Sequence, residues 1–365
     1  MKIKKKTIAL LLFSIGSVGW YGYNWLPPRV NLSSEEHKNV THFLKGMTTR
    51  CIGRFLIDMP EKFISPSDSS IAYVNKSPVK YKRIYRPAFE QKIKLREAEL
   101  AATKTMRTLD MPYLKGVYPL PDGMHGVIFE RNESYQILDS SRILEAHIYT
   151  NGVAVEITMK ARNGTSSRYD EDRKDIPEIY GNTVPNKIIE LTDLLKRVTG
   201  KQSDEIPVEP GFCLPELFIK DVNENQKERY GFVYKASEYP ALDFDFDSDN
   251  YSASEDSLLE RSEMMERNIK KAEGYTIANG RRDLNGLYAE QWLAEGLLSD
   301  TYGEKALRFA ININEKTASP LTPMLSLTFL QQGLEGEGRL TQVEAVTIWQ
   351  KITETIRIRP NAFKN

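Results

Sequence analysis

Hydrophobic and polar positions follow one order of elements twice along the chain. Each half contains a short apolar strand, further strand-like pieces, an amphipathic helix, a single strand, a strand pair and a closing helix. These elements lie at 55–58, 71–85, 89–107, 126–130, 145–159 and 185–199 in the first half, and at 214–221, 229–247, 254–272, 286–292, 306–330 and from 341 onward in the second. The repeated order predicts an α+β fold of two similar domains, each an antiparallel sheet with helices packed on one face.

Two local signals support this order. The sequence EAHIYTNGVAVEITM at 145–159 has Asn151 and Gly152 between two β-rich runs, which is typical of a type I′ hairpin. Thr341 and Glu344 have the spacing of a capping box and predict the start of the last helix. Both signals depend only on neighbouring residues, so they support the predicted hairpin and the predicted last helix independently of the repeat.

A polar connection separates the two halves. The stretch KQSDEIPVEP at 201–210 contains two prolines and no apolar run, which is typical of a link between domains. A chain of 365 residues also exceeds the size at which one hydrophobic core usually stops growing. We therefore expect an N-terminal domain at 29–200 and a C-terminal domain at 201–365.

The first 28 residues carry an export signal. Four lysines within the first six positions precede an uncharged stretch from Thr7 to Leu26, and this order is typical of a segment handed to the secretion machinery. Segment 1–28 is either a cleaved signal peptide or an uncleaved anchor helix in the inner membrane. Under both interpretations we expect the body of the protein in the periplasm, with the membrane as a partner only under the second.

Charge and motif content exclude several classes of function. The chain has 50 basic and 50 acidic residues and no long run of either sign after the first six positions, whereas nucleic-acid binding needs a clustered basic surface. The sequence has no nucleophile elbow, P-loop or dinucleotide-binding glycine motif, and its four histidines lack metal-ligand spacing. We expect a protein that is not an enzyme, has no cofactor and binds no nucleic acid.

Only two cysteines occur, and their settings are similar. Cys51 lies in RCIGRFLIDMPEKF and Cys213 in EPGFCLPELFIKD, each before a short apolar strand that ends in an aspartate. In an oxidising compartment two thiols tend to pair, and closing a loop of about 160 residues contributes on the order of 4 to 5 kcal/mol in the chain-entropy model. The alternative is two buried, unlinked thiols that behave as small hydrophobic side chains.

The sequence DFDFDSDN at 243–250 resembles a metal-binding loop. As a calcium loop it lacks the turn glycine and the bidentate glutamate that such loops need. As a strand it places its phenylalanines on a buried face and its aspartates on a solvated face. We favour the strand, whose acidic face is a candidate surface for a basic partner and consists of Asp243, Asp245 and Asp247.

With both cysteine motifs considered, the chain resembles the immunity proteins of lipase effectors of the bacterial type VI secretion system, the Tle4-class cognate immunity family. TRCIGRFLIDMPE at 49–61 is similar to that family's cysteine, Gly-Arg and Asp-x-Pro pattern, and GFCLPELFIKD at 211–221 to its Gly-Phe-Cys motif. Besides the cysteines, the matching positions are Gly53, Arg54, Asp58, Pro60, Gly211 and Phe212. The resemblance covers nearly the whole chain after residue 28, although Glu216-Leu217 stand where the family has a glycine.

The resemblance implies a periplasmic, non-enzymatic protein of two α+β domains. It implies a cognate secreted phospholipase or lipase toxin as the partner, gripped at its lid region and thereby blocked. The matched residues would have structural roles, with Arg54 and Asp58 tying the first strand to its domain. Two other hypotheses stay open: a membrane-anchored envelope scaffold or assembly protein without a toxin partner, and an envelope hydrolase with Asp245 as its first candidate carboxylate.

Overall fold

The computed structural model of the chain describes residue 28 and residues 30–66, 70–222, 226–297 and 303–364. The predicted signal peptide or anchor at 1–28 lies outside the described residues, apart from residue 28. Within the described part of the chain, no helix is both long enough and apolar enough to cross a membrane.

Helices and strands alternate along the described residues. The helices are α1 (Ser34–Phe43), α2 (Arg86–Ala102), α3 (Asp170–Asp175), α4 (Pro177–Tyr180), α5 (Val184–Leu195), α6 (Ser262–Lys271) and α7 (Gln342–Thr353). The strands are β1 (Met47–Ile52), β2 (Phe55–Pro60), β3 (Ile71–Val74), β4 (Ser77–Arg83), β5 (Leu114–Pro119), β6 (His125–Asn132), β7 (Ser141–Thr150), β8 (Val153–Arg162), β9 (Val198–Gly200), β10 (Gly211–Leu214), β11 (Leu217–Lys220), β12 (Glu228–Lys235), β13 (Leu242–Asp249), β14 (Tyr275–Leu284), β15 (Leu287–Leu297), β16 (Lys305–Ile313), β17 (Met324–Gln332) and β18 (Arg357–Ile358). The chain is therefore an α+β protein, as its sequence predicts.

The chain folds into two compact units, and each unit is built from several separate segments of the chain. Unit 1 contains the described residues through Thr49, together with Phe55–Pro66 and Gly231–Ile358. Unit 2 contains Arg50–Arg54, the described residues of Ser67–Tyr230, and the segment that begins at Arg359. The segments of the two units therefore differ from the predicted domains at 29–200 and 201–365. Those two domains stay a prediction. Long-range packing decides which unit a segment joins.

Unit 1 is built on a sheet in the order β14-β15-β16-β17-β13, followed by the part of β12 from Gly231 onward. On one face, Phe309 and Phe329 are fully buried, and their ring centroids lie 6.0 and 6.5 Å from that of Trp349 in α7. The predicted capping box of α7 is present, because the Thr341 side chain accepts a hydrogen bond from the backbone N–H of Glu344. This face and α7 form the core of the unit.

Helix α6 lies on the opposite face of the same sheet. Trp292 of β15 pairs in register with Ala310, the residue after Phe309 in β16, and successive strand residues point to opposite faces. The α6 side chains Met265 and Ile269 pack against the buried cluster of Leu258, Leu259 and Trp292 there. The helices of unit 1 therefore lie on both faces of its sheet.

Helix α6 is shorter than the helix expected at 254–272. The backbone N–H groups of Leu258 and Leu259 donate to the side chains of Glu315 and Glu290, at 2.8 and 2.9 Å. Because these distant carboxylates satisfy the backbone before the helix, the segment turns and α6 begins only at Ser262.

Unit 2 is built on an antiparallel sheet in the order β3-β4-β8-β7-β6-β5. It also contains a small three-stranded sheet in the order β10-β11-β9. The predicted hairpin joins β7 to β8, and Asn151 and Gly152 have φ angles of +46° and +82°, as a type I′ turn requires. Helix α2 packs on this sheet through Phe89, whose ring centroid lies 5.4 Å from that of Tyr149.

Candidate functional site

The two cysteines meet in unit 2. Cys51 and Cys213 form the predicted disulfide bond, with their Cα atoms 5.7 Å apart. Gly53 and Cys213 exchange two backbone hydrogen bonds of 2.8 and 2.9 Å, one in each direction. Each cysteine lies in a strand of its own, β1 or β10, and a tight turn leads to the apolar strand β2 or β11. The similar settings of the cysteines thus come from two similar hairpins.

Positive φ angles and close neighbouring atoms account for the glycines of both motifs. Gly53 has a φ of +58°, and a Cβ atom there would lie 1.4 Å from the hydroxyl oxygen of Tyr230. Gly211 has a φ of +146°, and a Cβ atom there would lie 2.3 Å from the carbonyl oxygen of Ile219. Phe212 is fully buried and its ring is stacked on that of Tyr230, with centroids 6.0 Å apart.

Arg54 is buried in unit 2 and uses all five of its N–H donors. It donates two hydrogen bonds of 2.8 and 2.9 Å to Asp221, two of 2.8 and 3.0 Å to Glu228, and one of 2.6 Å to the carbonyl oxygen of Ala362. Burial lowers the pKa of Arg54, but attraction to Glu228 and Asp221 outweighs burial, so the pKa is raised overall. The guanidinium therefore stays charged and holds three distant parts of the chain together.

Asp58 and Pro60 lie in unit 1. The carboxylate of Asp58 accepts hydrogen bonds from Thr49 at 2.8 Å and from Arg357 at 3.1 Å, and its side chain is 30% exposed. Pro60 ends β2, and its carbonyl oxygen accepts a hydrogen bond from the backbone N–H of Phe63. The matched motif residues therefore make contacts inside their own units.

The acidic face predicted for DFDFDSDN is formed by β13 of unit 1. The strand runs through this sequence, so no calcium loop forms there. Its phenylalanines are buried, and its other face carries Asp243, Asp245 and Asp247, which are half-buried or exposed. Among the residues that the structure describes, no group of three or more His, Cys, Asp or Glu side chains is arranged to hold a metal ion.

A groove lies beside this acidic row on the same face of the sheet. Ser326 and Thr328 of β17 line it and pair in register with Asp247 and Asp245. Ala310 of β16 continues the floor, and α6 forms the far wall around a cavity of about 420 Å³. We call the cavity and the aspartate row together the acidic groove.

The carboxylates of the aspartate row repel one another. Burial, followed by the charges of Asp243 and Asp247, raises the pKa of Asp245 above its usual value, and Lys235 and Arg308 oppose only part of this effect. Lys235 Nζ lies 3.1 Å from the Asp243 carboxylate. An additional cation placed near Asp245 would therefore be attracted to the row.

Unit 2 carries a second candidate surface on two neighbouring loops. The residues Met106, Leu109, Tyr135 and Ile137 are 74%, 78%, 54% and 41% exposed. The backbone N–H of Met106 donates to the carbonyl oxygen of Tyr135 at 2.8 Å, which holds the two loops side by side. We call these four residues the apolar loop patch. Clustered exposed apolar side chains are typical of protein contact surfaces.

A buried polar cluster supports the apolar loop patch. The Asp110 carboxylate accepts hydrogen bonds from the backbone N–H of Asp139 at 3.3 Å and from Arg168 at 2.5 Å. Lys115 binds the carbonyl oxygen of Asp110 at 3.0 Å and the Asp139 carboxylate at 3.2 Å. Burial and the hydrogen bond to Asp139 raise the pKa of Tyr169 to about 12, so its hydroxyl stays a donor. These contacts fix the two loops before any partner binds.

Glu145 joins helix α2 to the sheet of unit 2. Its carboxylate is buried and accepts hydrogen bonds from Arg96 at 2.7 and 2.8 Å and from Arg131 at 2.6 Å, and it contacts His147 at 2.9 Å. Burial alone would raise the pKa of Glu145, but the hydrogen bonds from Arg96, His147 and Arg131 outweigh it and hold the pKa far below its usual value.

We expect Glu145→Gln to lower the free energy of unfolding by about 3 kcal/mol at pH 7, because the partly buried Arg96 and Arg131 lose their charged partner. A lowered folded-state pKa stabilises the protein above the unfolded-state value near 4.5 and loses this contribution as the pH falls below it. The difference between wild type and variant should therefore shrink below pH 4.5 in urea unfolding. Glu90→Gln, at the exposed pair with Arg86, is the control and should change little. Equal effects of the two variants would contradict the assignment.

Sequence reasoning found the acidic half of the groove and missed the rest of both surfaces. The alternation in β13 identified Asp243, Asp245 and Asp247, whereas the cavity depends on small side chains from strands far along the chain. The helix expected at 89–107 ends at Ala102, so Met106 lies in the connection after α2, and Leu109 lies in a short 3-10 helix at Thr108–Asp110 within that connection. Large apolar residues in such a connection were the available signal for the apolar loop patch.

The architecture is that of solved immunity proteins. The chain is similar to the apo structure of immunity protein TplEi of T6SS from Pseudomonas aeruginosa, with a TM-score of 0.67 and 22% identity over 87% of this chain and 98% of that one. It is similar to a chain of the Tle4-Tli4 complex, with a TM-score of 0.66 and 22% identity over 86% and 98% of the two chains. TplEi complexed with "L" peptide gives a TM-score of 0.62 and 21% identity over 87% and 99%.

The chain belongs to the Tle cognate immunity protein 4 family. The model of that family's N-terminal domain matches residues 48–201, and the model of its C-terminal domain matches residues 205–361. The resemblance seen in the cysteine motifs is thereby confirmed. A search of curated proteins found no match.

Proposed function

We propose that this protein binds and neutralises a type VI secretion phospholipase or lipase toxin in the periplasm. The observation that carries the proposal is the match of both family domains, in order, over most of the chain. Similarity to a chain from the Tle4-Tli4 complex supports a protein partner. The lysine-led apolar segment at 1–28 supports the periplasm as the place of action.

The protein acts by binding the toxin at its lid region and not by catalysis. The acidic groove of unit 1 and the apolar loop patch of unit 2 support this part of the proposal, because each unit offers a surface of its own to a partner. The motif residues supply the internal support: Arg54 and the disulfide bond lie inside unit 2 and keep its strands in place.

The test uses a secreted lipase encoded beside the gene for this chain, here called the adjacent lipase. Cells that export the adjacent lipase to the periplasm should survive only with this protein, and the two purified proteins should elute together. Lipase activity should fall to its limit at a stoichiometric ratio, because an inhibitor that acts by binding is consumed by its target. A version without residues 1–28 should bind the purified lipase and yet fail to protect cells. Absence of both binding and protection would refute the proposal.

A further inference from the structure

The floor of the acidic groove is made of small side chains. Ala310, Ser326 and Thr328 occupy adjacent strands on one face of the unit 1 sheet and are only half-buried. Larger residues here would fill the space below α6, so the small ones leave the cavity of about 420 Å³ open. Pockets of ~300–1,000 Å³ are the usual size of sites that bury a ligand group.

The wall formed by α6 leaves apolar surface uncovered. None of the helix's ten residues is fully buried. Met265 and Ile269 are only partly buried where they pack against the buried cluster that contains Trp292, and both residues line the cavity. Apolar surface that faces an open cavity favours a partner that brings an apolar side chain.

The remaining side of the groove is acidic. Asp245 is the register partner of Thr328, and Asp247 is the register partner of Ser326, so both residues lie one strand spacing, about 5 Å, from the floor. Lys235 binds Asp243 at the end of the row. Arg308 lines the cavity and offsets part of the charge of Asp245. A basic side chain that arrives near Asp245 would add to this partial compensation.

We propose that the acidic groove receives a segment of the toxin that carries a large apolar side chain next to a lysine or arginine. The apolar side chain enters the cavity below α6, and the basic side chain lies along the aspartate row. This inference rests on the proposed function, since it names the chemistry by which that function's partner is recognised.

The test measures binding of the adjacent lipase to the full-length protein and its variants by calorimetry or surface plasmon resonance. Ala310→Leu fills the cavity from a half-buried position and should weaken binding about tenfold or more. Thr328→Leu fills it from the neighbouring strand and replaces Ala310→Leu if that variant does not fold. Asp245→Asn should weaken binding about three- to tenfold in low salt and less in high salt, because screening already weakens the charge attraction.

Matched substitutions outside the groove serve as controls. Ala318→Leu adds the same side chain in the connection between β16 and β17, and Glu337→Gln removes one charge between β17 and α7; both should bind like the wild type. If the wild type binds the lipase and the groove variants bind within twofold of it, the inference is wrong while the proposed function stands. If the wild type itself does not bind, the proposed function fails and the inference fails with it.

Discussion

Replacing Arg54 with methionine is expected to lower the free energy of unfolding of unit 2 by about 3–5 kcal/mol. The variant leaves the carboxylates of Asp221 and Glu228 buried without their cation; their side chains are 6% and 0% exposed. It also leaves the carbonyl oxygen of Ala362 without its donor. Hydrogen exchange of the β10 and β11 amides, read by mass spectrometry, would report the loss in this unit directly.

Arg357→Met is the matched control. Arg357 binds Asp58 at 3.1 Å, but its side chain is 35% exposed, so its removal should cost less than about 1 kcal/mol. Adding Asp221→Asn and Glu228→Gln to Arg54→Met should restore part of the lost protection, because the buried negative charges disappear as well. If Arg54→Met and Arg357→Met have equal effects, the buried ion pairs of Arg54 with Asp221 and Glu228 do not stabilise unit 2 as the structure indicates.

Reduction of the Cys51–Cys213 bond is expected to destabilise unit 2 by about 4–5 kcal/mol. The two cysteines are 162 residues apart in sequence, and releasing so long a loop restores a large conformational entropy to the unfolded chain. The urea midpoint should fall when dithiothreitol is added, and the mass of the protein should increase by that of two hydrogen atoms. Because the tryptophans among the described residues, Trp292 and Trp349, lie in unit 1, the transition of unit 2 is best followed by hydrogen exchange.

The variant Cys51→Ala/Cys213→Ala provides the control for reduction. It should resemble the reduced wild type and should not respond to dithiothreitol, since it has no bond to reduce. A wild-type protein whose hydrogen exchange is unchanged by full reduction would show that packing around Gly53 and Phe212 alone holds the two hairpins together.

Features with local causes could be predicted from the sequence. Asn151-Gly152 adopts positive φ angles because few other residue pairs tolerate them, and Thr341 caps α7 through a residue three positions away. The acidic face of β13 follows from the alternation of side chains along a strand. In each case the residues that decide the structure lie within a few positions of each other.

Edge strands and helix limits were harder to predict. Strand β14 lies at an end of the unit 1 sheet and β5 at an end of the unit 2 sheet, and both are only partly buried, so their sequences lack a clear apolar alternation. Helix α6 begins late because Glu290 and Glu315, far along the chain, satisfy the backbone before it. The pattern of residues 254–272 contains no sign of either carboxylate.

The sequence by itself determined the repeated order of elements, the α+β class, the apolar strand after each cysteine and the motifs of the Tle cognate immunity protein 4 family. Only the tertiary structure decided which segments join each unit, what Arg54 binds and where the groove opens. Arg54 meets Asp221, Glu228 and Ala362 at separations of 167, 174 and 308 residues. Local conformational preference acts over a few residues, whereas contacts between residues far apart in sequence depend on how the whole chain packs. The acidic groove and the apolar loop patch are also formed by residues that are far apart in sequence.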